Sequence, residues 1–104
     1  MNQYDVFDNP VPRARSAFPF VAILQHKLAD TGSERLVAPL VPLTQMSGTS
    51  GRVTPVGKVS GVDHVLLVPR TSPVPAAHLR TARDQLAPHH SAIANAIDLL
   101  FHGV

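Results

Sequence analysis

Six histidines, His26, His64, His78, His89, His90 and His102, are the residues of this chain best suited by type to bind a metal or carry a proton. Their spacing builds no metal site. His89 and His90 are adjacent, so on a helix their side chains diverge by about 100°. No His-x-x-x-His pair and no acidic ligand set joins them, and the chain has no cysteine. They read as solvated residues at a helix start. Nucleophilic chemistry is equally unsupported, because no serine sits in a Gly-x-Ser-x-Gly elbow. Gly48-Thr49-Ser50-Gly51 lacks the Lys-Ser/Thr that completes a phosphate-binding loop. Glu34 is the only glutamate, which leaves a paired-carboxylate acid/base site without material. The residues give no support for an enzyme, a cofactor or a metal.

What remains is recognition chemistry. Arg13 and Arg15 flank an amino-terminal loop, and Arg80 and Arg83 precede the last predicted helix. Either pair could meet an acidic partner, since guanidinium forks bind carboxylates bidentately; the ordinary alternative is a solvated surface charge. The stronger feature is the tail Asn95-Ala96-Ile97-Asp98-Leu99-Leu100-Phe101-His102-Gly103-Val104. Chain ends usually fray and hold little apolar matter. Here an amphipathic helix runs into a Phe-His-Gly-Val tip, as a docking element would. The alternative is that Phe101 and Val104 complete a core.

These residues must be positioned by a single domain, given 104 residues and the usual domain size of roughly 100–200. Nine Lys and Arg against seven Asp and Glu give a net charge of +2. That is too weak and scattered to argue for nucleic-acid binding by counterion release. Absence of cysteine excludes disulfides and thiolate catalysis and is compatible with a reducing compartment. Met1-Asn2-Gln3-Tyr4-Asp5 lacks the basic-then-apolar profile of a signal peptide. No run reaches the roughly 18 apolar residues of a membrane span. A cytoplasmic, soluble protein is the expectation.

Ten prolines, spread from Pro10 to Pro88, oppose a mostly helical fold. Between them lie short apolar runs at 4–7, 18–24, 36–43, 53–59 and 62–68, which predict an antiparallel β fold. Asp30-Thr31-Gly32-Ser33 and Ser60-Gly61 are turn signals, and the Gly-Ser-rich stretch at 47–51 predicts a loop. Pro39 and Pro42 predict a bulged or edge strand at 36–43. The final helix follows Pro88, with Ile93, Ile97 and Leu100 at i, i+4, i+7 and Ala96 on the same face. Ser91, Asn95 and Asp98 fall opposite, and Gly103 suits a left-handed stop. Sheet first and helix last gives an α+β or mainly-β small barrel with one packed helix.

Three stretches resemble one known family. Gln3-Tyr4-Asp5-Val6-Phe7 is similar to its first strand. Val21-Ala22-Ile23-Leu24-Gln25, with Leu28-Ala29-Asp30-Thr31 and Arg35-Leu36-Val37-Ala38-Pro39-Leu40, is similar to its second and third strands and their turn. The segment from Ile93 to Val104 resembles its terminal helix and aromatic-Trp-Gly-Ile ending. The family is that of the CcdB toxins of bacterial toxin–antitoxin modules, and the match is weakest at 44–61. The resemblance implies an antiparallel sheet of about five strands, a minor sheet and a carboxy-terminal helix, in a homodimer. It implies a non-catalytic poison that enters the DNA-cleaving subunit of DNA gyrase and traps the cleaved-DNA complex. A CcdA-like antitoxin would neutralise it, in a module of the plasmid-maintenance type.

By position, the resemblance places the gyrase-facing tip at His102, Gly103 and Val104, with Phe101 and Asp98 before them. Leu28 and Ala29 match an apolar contacting pair, His26 a small polar position, and Gln3, Tyr4 and Phe7 the first-strand positions around that surface. Two residues depart from the family: His102 stands for its tryptophan and Asp98 for its asparagine. Tryptophan has more apolar area to bury in an interface. Two other readings stay open: a ribonuclease of the related MazF type, which shares the broad fold, and a non-toxic relative that has lost gyrase, for which the His102 departure speaks.

Overall fold

In the computed structural model, which describes residues 1–25, 32–46 and 54–103, the apolar runs become strands of one sheet. The elements are β1 (Asp5–Asp8), β2 (Phe20–Ile23), β3 (Glu34–Pro42), β4 (Val56–Val59), β5 (Val62–Leu66), β6 (Ser72–Pro75), β7 (Ala82–Gln85) and α1 (His90–His102). Among the described residues the sheet runs β4-β5-β3-β2-β1-β7, with β6 pairing β3 off that path. Every pairing is antiparallel. This curled sheet with a carboxy-terminal helix is the expected α+β class. The predicted turn residues Asp30 and Thr31, Val53, and the predicted loop at 47–51 lie outside the described residues.

The reading of β3 is corrected. It is no edge strand but the longest one, flanked by β2 on one side and by β5 and β6 on the other. Its prolines fit because neither removes a ladder donor. The Pro39 carbonyl accepts from Leu67 N–H at 2.9 Å, so its missing donor faces the same side. There the neighbour changes from β6, which pairs residues 34–37, to β5, which pairs residues 40–42. Pro42 lies beyond the end of β2, whose pairing stops at Phe20 opposite Leu40. Two strands, β6 and β7, have no counterpart among the apolar runs of the sequence.

Both faces of the sheet are covered. Val6, Ala22, Ala38, Leu40 and Leu66 pack on one face with Leu86, Ile93 and Ala96. Phe7, Val21, Ile23 and Val37 pack on the other with Leu79 and Val74. Strands buried on both faces read as continuous apolar runs, not as alternation. The β4–β5 hairpin turns on Ser60 (φ 51°) and Gly61 (φ 80°), the two left-handed residues that a tight hairpin loop needs. The sheet's two ends meet where Ser60 N–H donates to Asp84 of β7 at 2.7 Å.

Candidate docking tip

α1 grows from a single 3₁₀ turn, Ala87–His89, in which Pro88 occupies a position where its missing donor costs nothing. Ile93 and Ala96 are buried on the sheet and Ile97 is half-buried against them. Ser91, Asn95 and Asp98 are exposed, as their spacing predicts. Leu100 departs from expectation. Its spacing puts it with Ile93 and Ile97 on the buried face, yet it is 39% exposed. Periodicity fixes the direction of a side chain; it does not supply something for that side chain to meet, and the last turn of α1 runs past the core.

Beyond that point the helix is a bare apolar tip. Phe101 is 71% exposed, so it does not complete the core. His102 is exposed, and Gly103 closes the helix at φ 72° with its N–H on the Leu99 carbonyl at 3.0 Å. Phe101 lines a shallow groove of about 200 Å³ together with Leu24, Leu36, Val68 and Ile97, and with Gln25 and Thr71 as its polar members. Leu36, 39% exposed, continues the apolar surface onto β3. Nothing in the sequence pattern points to this groove. Its walls come from β3, the α1 helix and two loops, and no local pattern links them.

The first-strand residues divide. Gln3 sits beside the groove: its Nε2 donates to the Leu24 carbonyl at 2.9 Å, and its own carbonyl accepts from Gln85 Nε2 at 3.2 Å. Tyr4 and Phe7 are 3% and 4% exposed, so neither offers a free surface in this chain. Phe7 belongs to the packing on the far face. Tyr4 lies under the helix start, its ring 5.4 Å from that of His90, with burial raising its phenol pKa. Its φ of 70° is unusual for a bulky residue. The turn is held by Tyr4 N–H on the Ile23 carbonyl and Leu86 N–H on the Tyr4 carbonyl. Tyr4 therefore positions α1 from beneath. His26, Leu28, Ala29 and Val104 lie outside the described residues.

Two further histidines are engaged structurally. The His64 ring is buried, with Nδ1 2.8 Å from the Val62 carbonyl, and it packs edge-on against Phe20. His89 Nε2 accepts from Lys58 N–H at 3.5 Å. Among the described residues, no three or more of His, Asp and Glu gather where they could hold a metal ion, and no helix is long and apolar enough to cross a membrane. The family model described as CcdB protein matches residues 3–103. No relative among curated proteins matches the chain.

Proposed function

The chain belongs to the CcdB family, toxins of toxin–antitoxin modules, and from that premise we propose that it poisons DNA gyrase by inserting the tip of α1 into the enzyme's DNA-cleaving subunit. The reading rests on one observation above others: an aromatic ring, Phe101, held 71% exposed on a helix end whose preceding turns are anchored in the core. A rigidly based aromatic supplies interface area at low entropic cost. Gly103 lets a partner's backbone come close. Asp98, His102, Gly103 and Val104 complete the proposed contact, with Gln3 at its margin and His26, Leu28 and Ala29 as further proposed contacts. The active form is a homodimer in the cytoplasm, silenced by a CcdA-like antitoxin. Its action is binding without turnover, so inhibition should titrate with the ratio of toxin to gyrase.

The test is DNA cleavage by purified gyrase with and without the protein. Accumulation of gyrase-linked linear DNA, lost on Phe101→Ala or on removal of residues 103–104 while the fold persists, supports the proposal. Intact DNA with normal supercoiling refutes it, and RNA cleavage by the pure protein would then favour the MazF-like reading. His102 gives the remaining alternative a specific footing, because imidazole buries less apolar area than indole. A His102→Trp variant that gains inhibition absent from the parent would identify a relative that has lost gyrase.

A further inference from the structure

One arginine of each pair, Arg15 and Arg80, lines a single cleft, and Arg83 bonds the Asp8 in its wall. We propose that this cleft is a second docking site, for an acidic peptide segment of a partner protein. It encloses about 460 Å³ and is lined by Asp8, Pro10, Arg15, His78, Arg80 and Thr81. Its size is that of a site for a ligand of several groups, not a lone ion. It opens at the Asp8 end of β1, whereas the tip groove lies by Leu24 and Gln3, at the strand's other end.

The charges in the cleft are arranged for carboxylates. Arg83 places two bonds on Asp8, Nε to Oδ1 at 3.0 Å and Nη2 to Oδ2 at 2.8 Å, which neutralises the one carboxylate in the wall. Arg83 and, more weakly, Arg15 hold the Asp8 carboxyl below its ordinary range. Arg15 is itself fixed, its Nε donating to the Asn9 carbonyl at 2.6 Å, while its terminal nitrogens make no bond among the described residues. Arg80 is exposed and makes no ion pair or hydrogen bond among the described residues. Two guanidinium forks, an imidazole and the Thr81 hydroxyl thus face an open cleft. Forks of this kind match successive carboxylates bidentately. A net charge of +2 is too small to hold a nucleic-acid backbone.

The experiment is fluorescence anisotropy of the full chain with a labelled hexaglutamate peptide and its hexaglutamine counterpart. Hexaglutamate should bind and hexaglutamine should not. Arg80→Glu should weaken binding by roughly tenfold or more, and Arg80→Lys by less, because the charge survives without the fork. Phe101→Ala should leave peptide binding unchanged, which separates this site from the tip whatever gyrase does. An unchanged thermal midpoint for Arg80→Glu shows that the fold is intact. Equal binding of both peptides, or undiminished binding by Arg80→Glu, overturns the proposal. So does displacement of hexaglutamate by inorganic phosphate or a single-stranded oligonucleotide at lower concentration than by unlabelled peptide.

Discussion

At the scale of residues, Asp84 shows how one carboxylate closes a sheet. Its Oδ2 accepts from Ser60 N–H and its Oδ1 from Gln85 N–H, both at 2.7 Å. These bonds, with His89 adding a smaller attraction, hold its pKa below the ordinary 3.8. A lowered folded pKa means that the unfolded chain takes up the proton first. The stabilisation is therefore complete above about pH 4 and drains as the pH falls through the lower folded value. Asp84→Asn should cost about 1 kcal/mol at pH 7, measured by urea unfolding, and the gap from the parent should shrink at pH 3. A gap that stays constant would mean that the carboxylate charge is not its source. Asp8 carries the same sign through Arg83, but both groups are exposed and solvent screens the pair. Neither role was legible in the sequence, since Asp84 and Ser60 lie far apart along the chain, as do Asp8 and Arg83. Ser60-Gly61 and Gly103 were legible, because a left-handed backbone is a demand that glycine meets locally.

At the scale of elements, legibility followed burial. β1, β2 and β5 announced themselves because apolar side chains cover both faces of the sheet. β6 and β7 did not, because Ser72-Pro73-Val74-Pro75 and Ala82-Arg83-Asp84-Gln85 carry few apolar residues. In β6 the prolines are permitted by register. Val74 and Ser72 oppose Arg35 and Val37, whose polar backbone groups face β6, so Pro73 and Pro75 direct their missing donors outward. An edge strand is specified by its neighbour more than by its own pattern. The helix was legible in place and direction but not in depth, which yields a graded prediction. Ile93→Ala should cost about 2–5 kcal/mol, because that side chain is 1% exposed. Ile97→Ala should cost about 1–2 kcal/mol and Leu100→Ala close to nothing in a monomer. Chemical denaturation of the three variants measures the order. An equal cost at all three positions would mean that the last turn is buried after all.

At the scale of the whole molecule, the tail drew attention to a tip, while the surface around it emerged only when distant segments met. Leu24, Leu36, Val68 and Ile97 are unremarkable singly; together with Phe101 they leave a continuous apolar wall beside a well-packed core. Isolated exposed apolar residues need no explanation, but a contiguous patch on a small domain marks an interaction surface. The proposed homodimer gives the part of this wall around Leu36 an occupant, leaves Phe101 to the tip's own contact, and makes a prediction that does not involve gyrase. The protein should sediment at twice its 11.1 kDa chain mass, and its thermal midpoint should rise with concentration, as it must when unfolding is coupled to dissociation. Leu36→Lys is the discriminating variant. The Leu36 side chain lies outside the packed clusters, while its backbone bonds to Gln25 and Leu24 are independent of that side chain. A charge there should leave the monomer folded and abolish the concentration dependence, since an unpaired ammonium cannot be buried against a second groove without a large desolvation cost. If Leu36→Lys still sediments as a dimer, the groove is not the contact between protomers, and the apolar wall passes with Phe101 to the partner that the tip engages.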